Sequence, residues 1–169
     1  MASLIDAEIG GSDSNCYITT ANADAYFGNT LREVEWDGYS VVDRERALIQ
    51  ATQQIERLRL HGTAADTTTP QALHFPRDTD YDSSGATYII PEAIEDAVCE
   101  QAVWLLRQRD DPEMLNRQEL QNQGVRTISI DGVGESYSGR LADGFSASAR
   151  HLLELFICRT ARFKTRTSE

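Results

Sequence analysis

Lysine is nearly absent from this chain. Of its sixteen basic residues only Lys164 is a lysine, and the rest are arginine. Arginine is the cation that interfaces favour, because its planar fork makes bidentate pairs and stacks on rings. A coding bias in a GC-rich genome would leave the same composition. Cysteine is scarce as well: Cys16, Cys99 and Cys158 are odd in number and far apart, with no C-x-x-C pair. Zinc and dithiol chemistry therefore lack support, and three reduced, core-compatible thiols are expected. No apolar run approaches the roughly 20 residues of a membrane span. Met1 to Gly10 holds Asp6 and Glu8 but no cation, whereas a secretory signal starts positive. With 169 residues and 40% hydrophobic content, one soluble domain made in the cytosol, spanning 1–169, is the expectation.

A basic excess is also missing. The net charge is −11, and a free-standing DNA binder needs a cationic footprint for the phosphates. The charge is uneven, however. Residues 150–169 hold five cations against Glu154 and Glu169, a balance of +3, which leaves −14 on the first 149 residues. An acidic body with a basic tail suggests a tail that docks onto another surface. Ordinary cationic decoration of a helix C-terminus gives the same pattern.

What the chain does have is loop-fixing chemistry. Phe75-Pro76-Arg77 sets an aromatic anchor beside a residue that locks φ, which suits a loop pinned to a helical core. Residues 1–19 read as an irregular arm, and Thr19 or Thr20 can cap a helix over 20–28 with Ala21, Ala25 and Tyr26 on one face. A second helix is expected over 41–60, with Ser40 and Asp43 as capping pair and Ala47, Leu48, Ala51, Ile55 and Leu58 as its apolar stripe. The long connection 62–90 exceeds the usual loop length and so suggests function. A third helix starts at Pro91 as first helical residue, presents Ile94, Ala97, Val98, Ala102, Leu105 and Leu106, and breaks at Asp110-Asp111-Pro112. A short helix over 113–122 completes a helical core of 20–124. Asp131-Gly132 predicts a hairpin within 125–139 that pairs Ile130 with Val133, Ile128 with Glu135 and Arg126 with Tyr137. A lone ribbon is marginal in water and wants a partner, its own helices or a neighbouring subunit. The last helix is expected over 146–160, followed by a loose tail, 161–169. The fold class is mainly α: a bundle of about four helices with a β-hairpin arm and an extended C-terminal tail.

Chemical motifs are weak. Asp78, Asp80 and Asp82 resemble the start of a calcium loop, but Ser83 and Ile89 stand where glycine and a bidentate carboxylate are needed. Gly132, Gly134 and Gly139 make no phosphate-binding fingerprint. No local signature joins a nucleophile to a base, and Glu95 and Glu100 read as exposed helix charges. The expectation is no enzyme, no metal and no cofactor. A nucleic-acid accessory role would use Tyr81, Tyr88 and Trp104 as stacking platforms.

Six segments stand out together: Ser14-Asn15-Cys16-Tyr17-Ile18-Thr19, Ala23-Asp24-Ala25-Tyr26-Phe27, Trp36, Ala47-Leu48-Ile49-Gln50-Ala51-Thr52 with Ile55, Gln71-Ala72-Leu73-His74-Phe75-Pro76-Arg77, and Ile90-Pro91. In combination they resemble one family, the head–tail adaptor (connector) proteins of long-tailed double-stranded DNA phages. The likeness covers residues 12–110 and loosens beyond. Cys16 sits where a small Ser or Ala is usual, and His74 where Ala is frequent. Relatives are sometimes labelled DnaT-like single-stranded DNA-binding proteins. The resemblance implies a virion protein of the phage neck, made in the host cytoplasm. It would form a ring of about twelve subunits below the portal protein, extend the DNA channel and carry a tail-side neck or tail completion protein. Double-stranded DNA would pass without sequence-specific binding, and no membrane would be involved. The resemblance places Arg159, Arg162, Phe163, Lys164 and Arg166 at the portal. The subunit contact would fall to the hairpin residues Arg126, Ile128, Ile130, Val133 and Tyr137. An acidic wall would keep passing DNA mobile, with Glu92, Glu95, Asp96, Asp110, Asp111 and Glu113 as candidates.

Overall fold

A computed structural model describes residues 3–65, 70–111 and 144–158, and between 112 and 143 only 113, 116, 117, 119, 120, 123, 127–130 and 133–136. The described residues are mainly helical. Helix α1 spans Thr20–Gly28, α2 Glu33–Asp37, α3 Val41–Glu56, α4 Glu92–Asp110 and α5 Ala147–Leu153. Strands β1, Thr127–Ile130, and β2, Val133–Ser136, pair antiparallel, with Ile130 opposite Val133 and Ile128 opposite Glu135. Arg126 and Tyr137 lie outside the described residues, as do the tail residues from Arg159 onward. Of the region expected as a short helix, Glu113, Asn116, Arg117, Glu119 and Leu120 are helical.

The Thr19 hydroxyl caps α1 by accepting from the Asn22 N–H at 3.2 Å. The buried face is Ala23 and Phe27, whereas Ala21 and Ala25 are exposed and Tyr26 is half-buried. The expected face is thus rotated. One buried phenyl ring removes more apolar surface from water than several alanines, so Phe27 decides which side turns inward. Its ring stacks on Trp36, centroids 4.4 Å apart. Trp36 comes from α2, a helix that the sequence reading did not anticipate. Five residues carry too little periodicity to show, yet α2 exists to bring this indole to the core. The indole is fully buried and donates to Asp24 Oδ1 at 2.7 Å.

Helix α3 starts as expected, with Ser40 Oγ accepting from the Asp43 N–H at 3.2 Å. It ends at Glu56 rather than residue 60, and α5 ends at Leu153 rather than residue 160. One interaction explains both. The His61 N–H donates to the Phe156 carbonyl at 2.8 Å, the Cys158 N–H donates to the Arg59 carbonyl at 2.8 Å, and Leu60 and Ile157 form a β-bridge. Two short segments therefore satisfy each other's backbone where two helix ends would leave carbonyls open. Pro91 is the residue before α4 rather than its first, with ψ at 131°. Helix α4 lies at the centre, packed on α3 and α5, with Ile94, Ala97, Val98, Cys99, Ala102 and Val103 all buried. The Ser146 hydroxyl caps α5 by accepting from the Ala149 N–H at 3.0 Å.

Candidate functional site

Three of the segments that carried the resemblance, 14–19, 47–55 and 71–77, meet at one place. Phe75, from the long loop, is buried and packs edge-on against Tyr17 and Phe156, each at 5.7 Å. The Tyr17 hydroxyl donates to the Glu56 carboxylate and accepts from the Phe75 N–H at 3.2 Å. Burial first, and then the Glu56 charge, push the Tyr17 phenol far above its ordinary range. The His74 N–H donates to Glu56 Oε2 at 3.0 Å. Arg77 is buried, lies over the Phe75 ring and donates from Nη1 to the Gly62 carbonyl at 2.8 Å. Gly62 has φ +82°, a backbone region that a side chain disfavours. The Phe75–Pro76 bond is cis. Asn15 ties the N-terminal arm down, with Oδ1 accepting from the Asp6 N–H and Nδ2 donating to the Leu4 carbonyl, both at 2.9 Å. Cys16 Sγ accepts from the Thr52 hydroxyl at 3.4 Å, and burial raises its thiol.

On one flank, α1 and the first turns of α4 border an open groove of about 550 Å³. Asn22, Tyr26, Asn29 and Thr30 form one wall, and Glu92, Glu95 and Asp96 the other. Glu95 and Asp96 are half-buried, and burial followed by repulsion from neighbouring acids holds both carboxyls above their ordinary range. Glu100 is only 6% exposed, which corrects the expectation of a solvated helix charge. It accepts from the Tyr26 hydroxyl at 2.9 Å and pairs with Arg32. The pairing is what makes the burial tolerable. Sequence reasoning missed it because Arg32 and Tyr26 lie far from Glu100 along the chain.

The outer face of α3 is different. Arg46, Gln50, Gln53 and Arg57 are exposed and recur at helical spacing, so they form one stripe. Two open grooves flank it: one of about 300 Å³ bordered by Ile49 and Gln54, and one of about 380 Å³ bordered by Leu105, Gln108 and Arg109 of α4. Large apolar side chains also stand in solvent: Leu31 is 105% exposed, Val34 84% and Leu155 87%.

Asp80 Oδ2 accepts from the Arg77 N–H at 2.8 Å, and Asp82 Oδ1 accepts from the Ser84 hydroxyl at 2.6 Å, so both acids shape turns of the long loop. Among the described residues, no group of three His, Cys, Asp or Glu side chains is placed to hold a metal. Tyr81 and Tyr88 stack on each other at 4.5 Å, with their hydroxyls 2.8 Å apart. Asp110 pairs with Arg109, and Asp111 Oδ1 accepts from the Glu113 N–H at 3.0 Å. The structure also joins Cys158 Sγ and His61 Nδ1 at 3.3 Å, a pair that no local spacing could reveal. The hairpin residues Ile128, Ile130 and Val133 are placed in register on β1 and β2.

One family model matches residues 1–167, and its description reads "Putative DnaT-like ssDNA binding protein". No curated protein and no solved structure matches the chain.

Proposed function

The chain belongs to that family, and we propose that it works as a structural virion protein, a head–tail adaptor that forms a ring below the portal, extends the DNA channel and gives the tail its platform. The observation that carries this reading is the apolar surface on an acidic body. Leu31 and Val34, three residues apart, are both almost wholly exposed, and apolar side chains that stand together in solvent mark a surface that a partner covers. The pinned loop supports it too. Tyr17, Glu56, Phe75 and Arg77 pin the loop at residues 74–77, and a segment presented rigidly loses little entropy on assembly. The basic end, Arg159, Arg162, Phe163, Lys164 and Arg166, supplies the portal contact, and the paired strands β1 and β2 lie on the next subunit.

The test is docking onto purified portal followed by mass measurement, together with imaging of intact particles. The full chain forms a ring on the portal, and a chain lacking residues 159–169 does not. Particles whose neck lacks this chain would overturn the proposal.

A second reading, a single-stranded nucleic-acid-binding accessory protein, is favoured by the family description and by the partly exposed Tyr81–Tyr88 pair. It requires salt-sensitive binding. Fluorescence anisotropy with a labelled oligothymidylate at low salt decides it, and a flat titration removes it.

A further inference from the structure

We propose that the outer face of α3 is the ring contact: the Arg46–Gln50–Gln53–Arg57 stripe of one copy docks on the Glu92–Glu95–Asp96 groove of the next. The inference rests on the adaptor reading and adds the surfaces that close the ring.

Three observations support it. The first is charge complementarity. Among the described residues neither Arg46 nor Arg57 makes an ion pair, Arg46 feeling only the nearby Asp43 carboxylate that Arg109 already holds, whereas Arg32, Arg44, Arg107 and Arg109 are all paired within the chain. On the other side, Glu95 and Asp96 repel each other and Glu92 across a half-desolvated wall. A guanidinium laid there relieves that repulsion and finds acceptors for its fork. Gln50 and Gln53 meet Asn22 and Asn29, groups that both donate and accept.

The second is geometry. At 100° per residue, Glu92, Glu95 and Asp96 point roughly opposite to Leu105 and Gln108 on α4, and Leu105 and Gln108 border the arginine stripe. The two surfaces thus face away from each other on one molecule. Neither can satisfy the other within a chain, and a two-fold dimer is not required. Opposed, different patches generate head-to-tail association, which closes into a ring when the rotation allows. The third is apolar surface beside the groove. Leu31 follows the groove residue Thr30 and is fully exposed, and Ile49 lines the groove beside the stripe. Docking covers both.

The experiment uses full-length chains and exchanges the charges. One variant carries Arg46→Glu and Arg57→Glu, the other Glu92→Lys and Asp96→Lys. All four positions are exposed or half-buried, and circular dichroism melts verify that each variant folds. Self-association is read by mass photometry and sedimentation, alone and with purified portal. Each variant alone loses association by at least about tenfold, since like charges then face each other across the contact. Mixed in equal amounts, the two variants recover the wild-type assembly, because every contact again joins opposite signs. If wild-type protein assembles and the arginine variant assembles equally well, this contact is wrong and the ring reading stands. Wild-type protein that stays monomeric with and without portal overturns both. If the arginine variant loses binding to oligothymidylate instead of self-association, the stripe is a nucleic-acid surface and the contact is refuted.

Discussion

Removing one oxygen from Tyr17 tests how the long loop is held. Tyr17→Phe keeps the buried ring and its edge-on contact with Phe75 but deletes the hydroxyl that links Glu56 to the Phe75 N–H. Two terms follow. A hydrogen bond to a charged acceptor contributes about 1.5–3 kcal/mol, and a buried N–H left without a partner costs about 1–3 kcal/mol. Burying the hydroxyl itself was unfavourable, and Glu56 keeps the His74 N–H, so the terms do not add in full. A net loss of about 2–3 kcal/mol is the expectation. For a chain of this size that lowers the melting temperature by roughly 4–12 °C. Thermal circular dichroism reads the shift, and hydrogen exchange reads its location, because the Phe75 amide loses protection before the amides of α4 do. Tyr81→Phe is the control: its hydroxyl meets that of Tyr88 on the exposed part of the loop, so a change within about 0.5 kcal/mol is expected. A Tyr17→Phe melt within about 1 °C of wild type, with Phe75 exchange unchanged, would refute the claim that this hydroxyl holds the loop.

Other perturbations probe the remaining surfaces. Glu100→Gln keeps an acceptor for the Tyr26 hydroxyl but loses the charge facing Arg32. Because the Arg32 side chain is 32% exposed and can be rehydrated, the loss is about 1–2 kcal/mol by urea denaturation, less than for a fully buried pair. Leu31→Asp with Val34→Asp leaves the melting temperature unchanged, since both side chains stand in solvent, yet lowers assembly on the portal measured by mass photometry. Stability against pH follows from two opposite shifts. Glu95 and Asp96 have folded-state values above their unfolded ones, so their penalty is present near neutrality and is relieved as pH falls through the raised values. Glu35, held low by the Arg107 hydrogen bond, stabilises above its unfolded value and loses that contribution as pH falls through the lowered one. The melting temperature therefore holds or rises from about pH 7 to pH 5 and drops below about pH 4, and Glu95→Gln raises it at neutral pH.

Local signals were legible and distant ones were not. The caps at Ser40 and Ser146 could be named, and that of α1 narrowed to Thr19 or Thr20, because each hydroxyl acts on an amide three residues away. The register of β1 and β2 followed from one two-residue turn. The ends of α3 and α5 could not be read, because residues 59–61 pair with 156–158 across almost a hundred positions. Helical periodicity continues through Leu58 and Phe156, and only the tertiary pairing overrides it. The face of α1 was misread for a related reason, since its partner Trp36 sits on a helix too short to announce itself. The same holds for the surfaces. The arginine stripe of α3 was visible as charge off the apolar face, but the groove opposite it needs α1 brought against α4.

The fate of the arginines bears on what the chain can hold. A single strand of nucleic acid is tracked by a row of unpaired cations with aromatic faces open for stacking. Here Arg32 is taken by Glu100, Arg44 by Asp24 and Asp37, Arg107 by Glu35, and Arg109 by Asp43 and Asp110. Arg77 points inward to the Gly62 carbonyl. Tyr81 and Tyr88 each give one ring face to the other, so the pair offers at most its outer faces. What remains of the cations with settled positions on α3 is a short stripe whose middle is glutamine, a neutral residue that adds hydrogen bonds but no attraction to phosphate. Such a stripe, cationic at its ends and neutral between, suits a protein surface that offers both carboxylates and amides better than a uniformly charged backbone, and the chain carries such a surface on the far side of α4. In the proposed contact, the outward-facing Arg46 and Arg57 of one copy meet the acids that another copy carries on the far side of its α4.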